Sequence, residues 1–114
     1  MTISAILNKA ADLIERNGWC RGSFSARPIG IGMFRKIRFD EADETCAFCA
    51  DGAIRFAAGH NDHNAAEADS DVRAALKAFS QHVQYLNPAS WNDMDGRTKH
   101  EVVNTLRQVA QKVE

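Results

Sequence analysis

The sequence contains neither a long apolar run nor a marked excess of charge of one sign. No segment approaches the roughly 18 apolar residues that a transmembrane helix requires. The N-terminus lacks the basic start and apolar core of a signal peptide. The formal net charge is −1, so no overall field attracts nucleic acid or an anionic membrane surface. We therefore expect a soluble, cytoplasmic protein that does not associate with membranes.

Cysteine is also scarce, since the chain has only Cys20, Cys46 and Cys49. An odd number of cysteines does not form the paired framework of a small disulfide-rich secreted domain. The chain has no phosphate-binding glycine loop, serine-elbow motif or HExxH sequence. We therefore expect reduced thiols and no cofactor.

The length and the hydrophobic pattern predict one mainly α domain that covers residues 1–114. A chain of 114 residues can bury a single core without disulfide support. Apolar residues recur at the three- and four-residue steps of an amphipathic helix in several segments. The predicted helices cover residues 3–16, 45–59, a segment that begins between 64 and 70 and ends at 86, and residues from 98 onward. They indicate a compact bundle of about four helices with one extended arm.

The segment Thr45–Gly59 is predicted to be the central helix, around which the other helices pack. Its many small side chains allow neighbouring backbones to approach closely. The acidic residues that precede it favour the positive end of a helix dipole, and Thr45 is its predicted N-cap. Gly59 then ends the helix.

Local signals also mark the ends of the other helices. Thr2 or Ser4 can cap the first helix, and Asn17-Gly18 can end it. Thr98 and Glu101 have the spacing of a capping box at the start of the last helix. Residues 88–96 are predicted to form a loop anchored by Trp91.

Residues 21–40 are predicted to form the extended arm or a short β-hairpin that turns near Met33–Lys36. Glycine and proline interrupt this stretch, and apolar residues alternate along it, as in a half-buried strand. The arm is basic and has exposed apolar positions, which makes it a candidate protein-binding surface. Its candidate contact residues are Arg27, Ile31, Phe34, Arg35 and Lys36. Cations next to aromatic rings also suit nucleic acid, but the acidic run at 40–44 neutralises the arm, so nucleic acid is not the favoured partner.

Cys46, Cys49, His60 and His63 form a candidate zinc-ligand set, because two cysteines and two histidines can close a tetrahedral site. An unbroken central helix would hold the two pairs roughly 15–20 Å apart, at 1.5 Å per residue. Buried thiols and solvated histidines are therefore the favoured interpretation, and no metal is expected.

Three other chemical patterns are weaker. Cys20 or Cys49 could act as the nucleophile of a hydrolase or transferase if a histidine lay within reach. Cys46 and Cys49 have the spacing of a redox pair but lack the surrounding thioredoxin-like sequence. The segment 92–96 is similar to a calcium loop, but its alignment places Val102 where a carboxylate is required.

Several short motifs together resemble a small uncharacterised family of phages, prophages and bacterial genomes, described as a domain of unknown function. The pattern reads GWC, CAxGAI, WND and RT along nearly the whole chain. The matching residues are Trp19, Cys20, Cys49, Gly52, Trp91, Asn92, Asp93, Arg97 and Thr98. The resemblance implies no activity, substrate or cofactor.

The matching residues lie at predicted helix ends and can converge beside Cys49. The candidate polar cluster contains Trp19, Cys20, Cys49, Trp91, Asn92, Asp93 and Arg97, with Asp93 paired to Arg97. A packing role is favoured over a binding site for this cluster. The leading hypothesis for the chain is a small accessory protein of mobile-element origin that binds another protein. A cysteine-dependent enzyme, a zinc-stabilised or nucleic-acid-binding domain and a homodimer remain alternatives.

Overall fold

The first helix, α1 (Ile3–Asn17), buries one apolar face that includes Ile6, Leu7 and Ile14. The computed structural model describes residues 1–113. The hydroxyl of Thr2 accepts a hydrogen bond from the Ala5 backbone N–H at 3.0 Å, and Gly18 ends the helix. The predicted helix over residues 3–16 is therefore confirmed, with Thr2 as its cap.

The arm folds into a β-hairpin that belongs to a small antiparallel sheet. Strand β1 (Ser25–Gly30) pairs with β2 (Met33–Lys36) on one side and with β3 (Ala47–Phe48) on the other, in the order β2-β1-β3. The turn between β1 and β2 contains Gly32 at φ 71°, a left-handed conformation that favours glycine. The hairpin is confirmed, but the predicted turn position is wrong, because residues 33–36 form the second strand.

The predicted central helix over Thr45–Gly59 begins too early, because α2 covers only Ala50–Ala57. The preceding residues are held in a sheet by distant partners: the Phe48 N–H bonds to the Gly18 carbonyl at 3.3 Å. Thr45 is not the N-cap. Cys49 is the N-cap, and its sulfur accepts a hydrogen bond from the Gly52 N–H at 3.3 Å. All residues of α2 except Phe56 are buried. The last helix packs mainly against α1, so the prediction that the other helices pack around this segment is wrong for that helix.

The helix predicted to end at residue 86 is two helices, α3 (His63–Ala68) and α4 (Ser70–Val83). They separate at Asp69, whose carboxylate accepts a hydrogen bond from the Asp71 N–H at 2.9 Å and so caps α4. Helix α4 ends at Gln84, which adopts the left-handed conformation with φ 58°.

A 3₁₀ turn (Phe39–Glu41) lies between the hairpin and β3.

The segment predicted as a loop over residues 88–96 contains a fifth helix, α5 (Pro88–Asn92). Asn87 caps it by accepting from the Ser90 N–H at 2.8 Å, and proline suits the first helical position because no N–H is required there.

The last helix, α6 (Lys99–Lys112), begins after Thr98 as predicted. Thr98 accepts from the Glu101 N–H at 3.2 Å. The Glu101 carboxylate pairs with Arg97.

The core lies between α1, α2 and α6, and α4 and α5 close it. Its largest fully buried side chains include Phe48, Phe79, Ile54 and Leu106. At the surface, Arg107 of α6 pairs with Asp12 of α1 at 2.8 Å. Six α-helices and a three-stranded sheet thus form a mainly α fold over the described residues. None of these helices is both long enough and apolar enough to cross a membrane.

Candidate functional site

Asn92 is the centre of a buried polar cluster. Its Oδ1 accepts hydrogen bonds from Trp19 Nε1 at 2.7 Å and from the Ala50 N–H at 2.9 Å. Its Nδ2 donates to the Cys20 carbonyl at 3.1 Å and to Asp93 Oδ1 at 3.0 Å. Asn92 is fully buried, and these four contacts satisfy its two donors and both acceptor positions.

The local structure explains why these groups meet at one point. Asn92 is the last residue of α5, Ala50 is the first residue of α2, and Trp19 follows the end of α1. The Ala50 N–H belongs to the first turn of its helix and has no partner within that helix. The Asn92 side chain supplies that partner, so the amide joins the ends of three elements.

Asp93 extends the cluster to the loop that follows Trp19. Its Oδ1 accepts from the Gly22 N–H at 3.0 Å. The Arg21 guanidinium donates to the carbonyls of Asp93 and Met94 at 2.7 and 3.0 Å. These contacts hold residues 21–22 against the turn after α5.

The predicted pairing of Asp93 with Arg97 is wrong. Arg97 Nη1 pairs with Glu101 at 2.7 Å, and its Nε donates to the Trp91 carbonyl at 3.0 Å. Its guanidinium carbon lies 3.8 Å from the centre of the Trp91 ring, a cation–π contact. The structure therefore divides the predicted cluster, with Trp91 and Arg97 forming a separate group.

All three thiols are buried and have hydrogen-bonding roles in the fold. Cys49 caps α2, Cys20 lies 3.5 Å from the Ser23 carbonyl oxygen, and Cys46 lies 3.7 Å from Asp43 Oδ1. Burial raises the pKa of the Cys20 thiol to about 11 and raises that of Cys49 well above its ordinary value. Because only the thiolate is nucleophilic, these environments do not support a cysteine nucleophile.

The four candidate zinc ligands are not gathered at one point. His60 Nε2 pairs with Asp69 Oδ2 at 2.8 Å. The His63 ring packs against Phe24 and Phe39, with ring centres 4.9 and 5.4 Å apart. Within residues 1–113, no three His, Cys, Asp or Glu side chains are placed together to hold a metal ion.

The model of a known family, described as a family of unknown function (DUF6197), covers residues 1–112. The chain belongs to DUF6197. No curated protein and no solved structure matches the chain. The predicted membership of an uncharacterised family is therefore confirmed, and the phage origin stays a prediction.

In this DUF6197 protein the tip of the hairpin exposes apolar side chains to solvent. Ile29, Ile31 and Met33 project at its tip and are mostly exposed. Phe34 is different, because a Cβ built on Gly18 would lie 2.9 Å from the Phe34 ring. Phe34 therefore anchors the hairpin to the end of α1.

The two strands of the hairpin place Arg27 directly opposite Arg35. Arg27 pairs with Asp43 at 3.2 Å and also donates to the Glu41 carbonyl at 3.3 Å. Arg35 and Lys36 form no ion pair within residues 1–113. The candidate arm is thus present. The charge of Arg27 is compensated by Asp43, whereas the charge of Arg35 is not compensated within the described residues.

Besides the Asn92 cluster, the structure contains a buried ion pair that was not predicted from the sequence. Asp51 and Arg55 form a buried ion pair at 2.6 Å within α2, and Arg55 also pairs with Glu67 at 2.8 Å. Burial raises the pKa of Asp51 above its ordinary value. An acid and a base four residues apart on an otherwise apolar helix could have indicated this pair.

Proposed function

We propose that this DUF6197 protein is a protein-binding domain that receives an extended acidic segment of a partner along strand β2. The observation that supports the proposal is the exposed outer edge of β2, where Arg35 has no acidic partner within the described residues.

The backbone of β2 is suited to strand addition. β2 pairs with β1 along one edge, no other described strand covers its second edge, and its four residues are exposed. An unpaired edge offers a row of N–H and C=O groups that an added strand can satisfy. In such complexes the main-chain hydrogen bonds supply affinity, and side chains at alternate positions supply specificity.

The charge of the strand favours an acidic segment. Like charges directly opposite each other destabilise a sheet. Asp43 compensates Arg27, whereas a carboxylate on an added strand would compensate Arg35. A second copy of this chain on the same edge would bring Arg35 and Lys36 of both copies together. Repulsion therefore disfavours a homodimer through β2.

The aromatic residues of the arm favour a protein partner over nucleic acid. Phe24 and Phe39 pack edge to face, with ring centres 5.6 Å apart, and both contact His63. Phe34 covers Gly18. Two of the three rings thus serve internal contacts, and Phe34 is exposed over 40% of its surface. Binding to single-stranded bases uses several exposed rings beside the cations.

Binding along β2 is the activity expected of a small cytoplasmic accessory protein. That setting, together with the mobile-element origin, rests on the composition of the chain and on its sequence resemblance. A cysteine-dependent hydrolase or transferase is a weaker candidate, because the buried thiols are held protonated.

The test uses a fluorescein-labelled peptide of alternating glutamate and valine, measured by fluorescence anisotropy. We expect it to bind, and we expect the matching lysine–valine peptide not to bind. Arg35→Glu should weaken binding by about tenfold or more, because it replaces attraction with repulsion. Lys9→Glu reverses one exposed charge on α1 and should leave the affinity unchanged.

Hydrogen exchange then distinguishes strand addition from general attraction between charges. The backbone amides of β2 should exchange more slowly with the acidic peptide bound. Equal binding of the two peptides, unchanged binding by Arg35→Glu, or unprotected β2 amides would each contradict the proposal. Tighter binding of a single-stranded RNA of equal length would indicate a nucleic-acid surface.

A further inference from the structure

A cleft of about 470 Å³ lies where α4 ends and α5 begins, above α2. Leu76, Ser80 and Gln81 of α4 line one side, and Asn87 and Pro88 line the other. Asp51 and Arg55 also line it, although only 3% and 6% of their surfaces are exposed. The cleft thus has a buried ion pair at its base and mixed polar and apolar walls.

The ion pair leaves hydrogen-bonding capacity unused. Arg55 donates through Nε to Asp51 Oδ1 at 2.6 Å and through Nη1 to Glu67 at 2.8 Å. Its Nη2 forms no hydrogen bond within residues 1–113. Among those residues, the enclosed side-chain polar atom without a partner is Ser25 Oγ. Nη2 of Arg55 therefore retains access to solvent, as expected for a side chain that lines the cleft.

The paired charges restrict the chemistry of a ligand. Two cations, Arg55 and Lys77, line the cleft and attract a carboxylate ligand. Two anions, Asp51 and the Glu67 that pairs with Arg55, repel it, and an ammonium ligand would experience the reverse. A neutral group with an adjacent donor and acceptor matches both side chains. A primary carboxamide has this arrangement, because its carbonyl accepts and its NH₂ group donates.

The rim of the cleft is formed where α4 ends. Gln84 lines the cleft and has φ 58°, a conformation at which helix ends usually have glycine. This conformation ends α4, and the Gln84 N–H bonds to the Ser80 carbonyl, so the rim of the cleft has a fixed position. Beside Gln84, Leu86 is almost fully exposed and offers an apolar contact for the rest of a ligand.

We propose that this cleft binds a primary carboxamide, which accepts a hydrogen bond from Arg55 and donates one to Asp51. The site is separate from β2 and does not depend on strand addition there. The amide belongs either to a free small molecule or to a glutamine side chain of a protein.

The first test compares butyramide, butyrate and butylammonium, which are similar in size and differ in charge. Each is titrated into the ¹⁵N-labelled full chain and followed by NMR. Butyramide should shift the signals of Arg55, Gln84 and Asn87 and should bind about tenfold more tightly than either charged compound. Equal affinities for the three compounds, or no shifts around the cleft, would overturn the proposal.

The second test changes the charge at the base of the cleft. Asp51→Asn keeps the side-chain shape and leaves Arg55 as the dominant charge, so the preference should change from butyramide to butyrate. Asp12→Asn, on the surface of α1, is the matched control and should keep the native preference. If Asp51→Asn does not fold, Leu86→Ala replaces it, because Leu86 is almost fully exposed. Leu86→Ala should weaken butyramide binding severalfold by removing the apolar contact, and an unchanged affinity would overturn the proposal.

Two capped tripeptides distinguish the sources of the amide. Ala-Gln-Ala and Ala-Met-Ala have the same backbone amides and differ in the side-chain amide. Tighter binding of the glutamine peptide than of butyramide identifies a protein side chain as the ligand. Tighter binding of butyramide identifies a small molecule. Equal binding of the two peptides together with no binding of butyramide would reject an amide site.

Discussion

A Cβ added to Gly52 would lie 2.2 Å from the carbonyl oxygen of Phe24. The same carbonyl accepts a hydrogen bond from the Cys49 N–H at 3.2 Å. The first turn of α2 therefore packs directly against the backbone before β1, at a distance that only glycine permits. This contact fixes the start of the buried helix relative to the sheet.

Gly52→Ala is expected to destabilise the fold by about 3 kcal/mol, the upper range for overpacking a close-packed interior. The inserted methyl group meets a backbone atom, which cannot rotate away as a side chain could. Urea unfolding followed by circular dichroism measures the loss. Gly30→Ala is the matched control, because its Cβ would lie 3.6 Å from the Met33 sulfur, an ordinary contact. Equal stability of the two variants would contradict the close approach.

The sequence predicted this close approach but not the start of the helix. Small residues in the segment 45–59 indicated that neighbouring backbones come near, and Gly52 is where they do. The start at Ala50 depends on Phe48, which bonds to Gly18 thirty positions earlier. Local helical spacing contains no information about that partner. The ends of α1 and α6 were predictable because their caps lie within three residues of the groups they satisfy.

Asn92→Ala is expected to destabilise the protein by about 3 kcal/mol, since buried groups that lose partners cost about 1–3 kcal/mol each. The substitution leaves the Trp19 indole N–H, the Ala50 N–H and the Cys20 carbonyl without the Asn92 amide. The fluorescence of Trp19 should change as well, because its hydrogen bond is lost. Denaturant unfolding and tryptophan emission measure the two effects. Asn104→Ala, on the exposed face of α6, should change stability by less than about 0.5 kcal/mol.

Part of this cluster was predictable from sequence, because Trp19, Asn92 and Asp93 lie at helix ends that can converge. The pairing of Arg97 was not predictable, since both Asp93 and Glu101 lie four residues away. The structure selects Glu101 because it occupies the first turn of α6, next to Arg97. The cleft above Asp51 was missed for a different reason. Its walls depend on α4 ending at Val83 rather than at Leu86.

The three thiols should react slowly with iodoacetamide in the native protein. Burial raises the pKa of Cys20 from 9.0 to about 11, which lowers its thiolate fraction by about a hundredfold near neutral pH. Cys46 and Cys49 are also buried. Mass spectrometry of timed reactions should show all three labelled together at the rate at which the protein opens, and rapidly in urea. One thiol that labels quickly in the native state would restore the nucleophile hypothesis.

Asp43 is expected to make the stability of the protein sensitive to acid. Its Oδ1 accepts hydrogen bonds from the Thr45 N–H and hydroxyl, and its Oδ2 pairs with Arg27. The hydrogen bonds from Thr45 and Arg27 lower the pKa of Asp43 from 3.8 to about 2, and the bond from the Thr45 hydroxyl is the largest cause. A lowered carboxyl pKa contributes stability above the unfolded-state pKa, and that contribution is lost as pH falls through the folded-state pKa.

The free energy of unfolding of the native protein should therefore exceed that of Asp43→Asn by a constant amount above about pH 5. The difference should shrink as the pH falls toward about 2, because Asp43 is protonated in the unfolded chain at a pKa of 3.8 and in the folded chain only near 2. Urea unfolding at several pH values measures it. Asp95→Asn removes a carboxylate from a fully exposed side chain and controls for the loss of one surface charge. A difference between the native protein and Asp43→Asn that stays constant to pH 2 would show that Asp43 is not held ionised by Thr45 and Arg27. In that case the turn before β3 would depend on backbone pairing with Gly18 rather than on the Asp43 carboxylate.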